Sequence, residues 1–124
     1  MGNYVDGFVA PVPSKNIEAY RKISEKAGKI WMEYGALSYI ESVSDDVESG
    51  EETSFPQSVN LEKDEVVVFS WITYESREHR DEVLEKVMSD KRMLDMENEE
   101  MPFDGKRMMW GGFKNLVSFE KSDS

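Results

Sequence analysis

Residues Glu65 to Tyr74 read Glu-Val-Val-Val-Phe-Ser-Trp-Ile-Thr-Tyr, and this stretch decides the fold. β-Branched and aromatic side chains dominate it, so it is predicted as a strand. Its apolar character is nearly continuous, which calls for cover on both faces of a sheet. Working outward, Tyr4 to Val12 has the same character and is closed by Pro11 and Pro13. Alternation places Tyr4, Asp6, Phe8 and Ala10 on one face and Val5, Gly7 and Val9 on the other. Both faces are largely apolar, so this strand too is predicted to be central. Leu37 to Val43 sets Leu37, Tyr39, Glu41 and Val43 against Ser38, Ile40 and Ser42, and reads as a further strand. Arg107 to Phe119 reads as the last one. Gly111-Gly112 interrupts it and suggests a bulge or a close backbone approach.

Between the strands the period changes. Ile17, Tyr20, Ile23, Ala27, Ile30, Trp31 and Tyr34 recur at steps of three and four, the signature of an amphipathic helix. Ser14 is its predicted N-cap and Gly35 its stop, as a left-handed residue past a helix end needs no Cβ. Ser76 is predicted to cap a second helix through about Met88, with Val83, Leu84, Val87 and Met88 as its stripe. A further helical turn is expected around Arg92 to Glu97. Residues 44–64 form a long polar connection, read as a functional loop or an extended hairpin arm.

The order strand, helix, strand, strand, helix, strand with right-handed crossovers predicts an α+β chain. Its ferredoxin-like βαββαβ antiparallel sheet carries both helices on one face, and one domain spans residues 1–124. Helices on one face leave the other uncovered, although the two central strands look apolar on both. A second copy would cover it, so a homodimer packed sheet against sheet is expected.

Composition narrows the function classes. Acids outnumber bases 26 to 15, for a formal net charge of −11. So negative a surface repels phosphate backbones and anionic bilayers, so neither nucleic acid nor membrane is an expected partner. The absence of cysteine removes thiol catalysis, disulfides and thiolate metal sites. No basic region followed by an apolar stretch opens the chain, and no apolar run reaches the roughly 20 residues of a membrane span. A cytoplasmic protein is expected.

Few residues stand out as carriers of chemistry. Asp6 lies mid-strand among apolar neighbours, where a carboxylate needs a partner or a raised pKa. Ser70 and Arg107 are its candidate partners. It is a candidate base or ligand-orienting acid, the alternative being a structural ion pair or a hydrogen bond at a strand end. Arg107, beside Asp104 and Gly105, could anchor an anion or simply close a turn. His79 is the only histidine and a candidate general base, yet its strongly charged surroundings read as an exposed first helical turn. A lone histidine makes no two-histidine metal site, and the acidic run from Asp45 to Glu52 lacks the calcium-loop pattern, so no metal and no cofactor are expected. Trp71, Trp110 and Tyr39, with Phe69 and Met109, could line a pocket for a flat apolar ligand or belong to core and interface.

Four blocks in order carry a family resemblance. They are Tyr4-Val5-Asp6-Gly7-Phe8-Val9 with Pro11-Val12-Pro13, then Gly35-Ala36-Leu37, then Val67-Val68-Phe69-Ser70-Trp71-Ile72. Last comes Met101-Pro102-Phe103-Asp104-Gly105-Lys106-Arg107-Met108 with Gly111-Gly112-Phe113. Together they resemble the YbaA-like family of bacterial proteins of unknown function. The resemblance implies membership of the dimeric α/β-barrel superfamily, whose branches include cofactor-independent monooxygenases, heme-degrading enzymes and muconolactone-isomerase-like proteins. It supplies no reaction and no catalytic residue. The expectation is a homodimer that binds a small apolar or aromatic metabolite in a cleft between sheet and helices, near Asp6, Tyr39, Trp71, Arg107 and Trp110. The alternative is a non-catalytic dimer with no such site.

Overall fold

The computed structural model describes residues 2–121. Strands β1 (Tyr4–Pro13), β2 (Ser38–Val43), β3 (Glu65–Tyr74) and β4 (Met109–Lys114) form one antiparallel sheet in the order β2-β3-β1-β4. The two continuously apolar strands are indeed the central pair. Helix α1 (Ile17–Glu33) follows β1, and α3 (Arg77–Met88) and α4 (Lys91–Glu97) follow β3. A single turn, α2 (Phe55–Ser58), lies within the long connection. The result is the expected ferredoxin-like α+β fold.

Helix ends follow local chemistry. Gly35 takes φ +110°, while its N–H donates to Met32 O and the Ala36 N–H to Trp31 O. This pair of bonds closes α1 with the predicted glycine stop. Ser76 caps α3 by accepting the His79 N–H at 3.1 Å. Ser14 does not cap α1. Its N–H is held by Asp64 O at 2.8 Å, so residues 14–16 make a 3₁₀ turn and α1 begins at Ile17.

The cross-strand register assigns each side chain a face. On the helix-covered face the rows run Tyr39–Ile72–Asp6–Gly112, then Glu41–Ser70–Phe8–Trp110, then Val43–Val68–Ala10. There the core gathers Ile30 and Trp31 of α1, Ile72 and Tyr74 of β3, Val83 and Val87 of α3, and Met93 of α4. The opposite face carries Ile40–Trp71–Gly7–Gly111 and Ser42–Phe69–Val9–Met109. The 44–64 connection is no free arm. It lays Val59 and Leu61 over Val9 and Val67, and Phe55 edge-on to Phe69 at 5.7 Å. The chain thus covers part of its own outer face. Ile40, Phe69, Met109 and Phe113 stay 41%, 42%, 49% and 61% exposed.

Strand β4 is shorter than predicted. Arg107 belongs to a 3₁₀ turn at its start, and beyond Lys114 the ladder ends with the Asn115 N–H on Asn3 O, where the partner strand begins. The paired glycines make no bulge, since Gly7↔Gly111 and Asp6↔Gly112 continue an unbroken register. Gly112 instead allows a close approach. A Cβ there would collide with Arg80 Nη2 and the Tyr4 hydroxyl. Gly112→Ala is therefore expected to displace Arg80 and destabilise the fold by about 1–3 kcal/mol, read by urea denaturation. An unchanged midpoint would mean that Arg80 relocates freely.

Candidate functional site

Helix α1 crosses the sheet with Tyr20, Ile23, Ser24, Ala27 and Trp31 turned toward row Glu41–Ser70–Phe8. The helix and the sheet do not close on each other there. A cavity of about 270 Å³ remains, walled by Phe8 and Ile72 of the sheet and by Ile23, Ala27 and Trp31 of α1. Met93 and Met96 of α4 and Met101, Phe103 and Met108 of the following segment complete it. That segment is fastened over the cavity, because Asn16 Nδ2 donates to Pro102 O at 3.0 Å and Phe103 meets Tyr20 edge-on at 5.5 Å.

One wall is polar. The Glu41 carboxylate accepts hydrogen bonds from the Tyr20 hydroxyl, the Ser24 hydroxyl and the Tyr39 hydroxyl, the last at 3.0 Å. Burial and the Glu41 charge push both phenols well above their ordinary range. They remain protonated donors at any physiological pH. No ion pair reaches Glu41 among the described residues. The same four side chains also line an open groove of about 1100 Å³ between α1 and β2, so they form the partition between groove and cavity. Gly28 lets this partition form: the Tyr39 ring lies against α1 where a Cβ would come within 2.8 Å of it.

Of the expected ligand-binding residues Asp6, Tyr39, Trp71, Arg107 and Trp110, Tyr39 alone lines the cavity directly. Trp110 stacks on Phe8, one of the cavity's walls, at 6.0 Å. Trp71 faces the other way, beside Phe69 at 5.5 Å on the outer sheet face, because successive strand residues point to opposite sides. Asp6 is 1% exposed and pairs neither with Ser70 nor with Arg107. Its partner is Arg80 of α3, whose Nε lies 3.4 Å away, and the Tyr4 hydroxyl accepts from Arg80 Nη2 at 2.9 Å. Burial raises the Asp6 pKa, while Arg80 and the Tyr74 hydroxyl pull it down. Arg107 sits at the far end of β3. It forks onto Glu65 with two bonds of 2.7 Å and also holds Asp104 at 3.0 Å, closing the turn before β4. These bonds hold the Glu65 carboxyl below its usual range. His79 opens α3 with Nδ1 accepting the Glu75 N–H at 3.0 Å and its ring edge-on to Tyr74. Asp6, Arg107, Trp71 and His79 therefore do not converge on one site.

Sequence reasoning missed Glu41, Tyr20, Ser24 and the methionine wall. The signal for Glu41 was present: it interrupts the face Leu37, Tyr39, Val43 as Asp6 interrupts its own. Tyr20 falls on the apolar stripe of α1, where the sequence pattern alone makes it core. Among the described residues no group of three or more His, Asp or Glu side chains is placed to hold a metal ion, and no helix is long and apolar enough to cross a membrane.

A family model described as "Protein of unknown function (DUF1428)" matches residues 3–105. Relatives include the uncharacterized protein YbaA of Escherichia coli (strain K12) and that of Shigella flexneri. Each is 48% identical over 114 residues, covering 92% of this chain and 97% of the relative. Among solved structures, an uncharacterized NIPSNAP domain protein from Burkholderia xenovorans superposes with a TM-score of 0.51 at 12% identity, over 95% of this chain and 99% of that one. At such identity the likeness speaks for the fold alone. The sequence match spans nearly the whole chain, and on it the chain belongs to the YbaA-like family of proteins of unknown function, DUF1428.

Proposed function

We propose that this protein is a cytoplasmic homodimer that binds a small, largely apolar or aromatic metabolite in the cleft between sheet and helices. The observation that carries the reading is the cavity itself. It is apolar on most sides and has one cluster of convergent polar groups, the usual make-up of a small-molecule site. Cofactor-independent oxygenase- or isomerase-like chemistry is the enzyme class such a pocket would suit, with Glu41 and the two phenols as the groups able to orient a substrate or hold a proton beside it.

Thermal shift against a metabolite panel that includes flavins, heme, quinones and small aromatic acids tests the binding. A ligand at about a hundred times its Kd adds about 2.7 kcal/mol, a rise of several degrees in Tm. Ala27→Phe, whose ring would enter the cavity, is expected to abolish that response at a cost of about 1–3 kcal/mol in intrinsic stability, as for other small-to-large changes at a buried position. A response that survives Ala27→Phe places the ligand elsewhere.

The dimer is supported by the apolar side chains left on the outer sheet face, notably Ile40, Phe69, Met109 and Phe113. Sedimentation at micromolar concentration is expected to give twice the 14.3 kDa chain mass. A Phe113→Lys variant, charged at the β4 edge of that face, is expected to sediment as a monomer. A wild-type monomer would remove the sheet-to-sheet assembly.

A further inference from the structure

We infer that the cavity selects a ligand with a cationic or hydrogen-bond-donating head, a small aromatic amine rather than an aromatic acid. This rests on the reading of the cavity as a binding site. Hydrogen-bond accounting at the polar wall carries it. A hydroxyl has one hydrogen to donate and two lone pairs to accept with. The hydrogens of Tyr20 and Tyr39 and that of Ser24 are all directed at Glu41. The wall's remaining capacity is therefore that of an acceptor: hydroxyl lone pairs and the free lone pair of a carboxylate that takes about four bonds. The methionine thioethers around the rest of the cavity are at best weak acceptors. Of the cavity hydroxyls only that of Ser70 lies outside the Glu41 cluster.

Charge points the same way. Among the described residues Glu41 has no cationic partner, so an anion brought beside it meets uncompensated repulsion in a partly dry site, whereas an ammonium supplies the missing counter-charge. The approach does not offset this, since its charges are balanced: Arg21 is bridged to Glu18 and Glu25 at 3.4 and 3.3 Å, Arg92 is bridged to Glu33 at 2.6 Å, and Lys29 stands beside them. The aromatic rings of Tyr20, Trp31 and Phe103 offer faces on which a cation gains further.

The test compares three probes of nearly equal shape by calorimetry at neutral pH: 2-phenylethylamine, 2-phenylethanol and phenylacetate. The amine is expected to bind roughly tenfold more tightly than the alcohol, since a charge-assisted bond is about twice as strong as a neutral one, and the acid to show no binding. Glu41→Gln keeps the shape and removes the charge, and is expected to bring amine and alcohol to equal affinity. Should that variant not fold, the ranking of the three probes on the unaltered protein decides alone. Phenylacetate binding as tightly as the amine would overturn the inference and leave the cavity reading standing. Amine binding that Glu41→Gln leaves unchanged, in a folded variant, would also overturn it. No binding by any probe at millimolar concentration would overturn the inference and the cavity reading together.

Discussion

Arg80→Met is expected to cost about 3–5 kcal/mol of stability at neutral pH, the usual penalty for stripping the partner from a buried charge. The reason lies in how Asp6 is held. The Asp6 side chain is 1% and the Arg80 side chain 14% exposed, so water cannot take the place of the lost guanidinium. Methionine replaces the aliphatic stem of Arg80 and leaves packing nearly intact, so the loss reports charge. The double variant Asp6→Asn/Arg80→Met removes both charges and is expected to recover most of it. If the double variant is as unstable as Arg80→Met alone, the arginine acts through packing and the electrostatic account is wrong.

The pH dependence follows from the same pair. Burial holds the Asp6 carboxyl above its ordinary value of 3.8, against the opposing pull of Arg80 and Tyr74. Between the unfolded and folded values the native protein keeps a proton that the unfolded chain has lost. Native stability from this group therefore falls as pH rises through that window. Without Arg80 the window extends upward. The Arg80→Met defect should shrink steadily as pH is lowered and Asp6 takes up its proton, and urea titrations at a series of pH values will follow it.

Trp31→Ala carries the second large effect, about 3–5 kcal/mol, as for other large aromatic truncations in a core. Trp31 packs among Ala27, Ile72 and Tyr74, tilts against Tyr39 at 5.8 Å, and donates its Nε1–H to the Tyr74 hydroxyl at 3.1 Å. Truncation removes the ring and leaves that hydroxyl, in a side chain fully buried, without its donor. The two losses separate experimentally. Trp31→Phe keeps most of the volume and loses the donor, and should cost about 1–2 kcal/mol. Because Trp31 also walls the cavity, Trp31→Ala enlarges it. A midpoint shift below that of Trp31→Phe would mean that the wall collapses inward and the cavity closes.

Much of this architecture could be read along the chain. The continuous apolar runs at β1 and β3, against the single-faced alternation of β2, identify the central pair, because a strand covered on both sides cannot afford polar residues on either. The period of α1, the serine cap of α3 and the glycine stop at Gly35 are local facts of backbone and side chain, legible wherever they occur. The singular position of Asp6 was legible in the same way. Its partner was not. Arg80 lies 74 residues away on a helix whose rotation over the sheet depends on how α1 and α3 pack, and no local rule selects it over Ser70 or Arg107.

The candidate site was legible in its parts and hidden in its assembly. Trp71 and Ser70 are neighbours in sequence, and only the register Glu41↔Ser70 and Ile40↔Trp71 turns the serine into the cavity and the tryptophan to the outer face. Tyr20 and Ser24, one turn apart on α1, look like one core residue and one polar neighbour until β2 brings Glu41 beneath them. The methionines from Met93 to Met108 became a cavity wall because residues 98–108 are tied back to Asn16 and Tyr20, contacts that span more than eighty residues. The sequence by itself therefore determined the principal strands and helices and their order, since period, caps and β-propensity act over a few residues. Tertiary structure alone decided which carboxylate faces a cavity and which is sealed against an arginine, because strand register and helix rotation are settled only when the whole core packs.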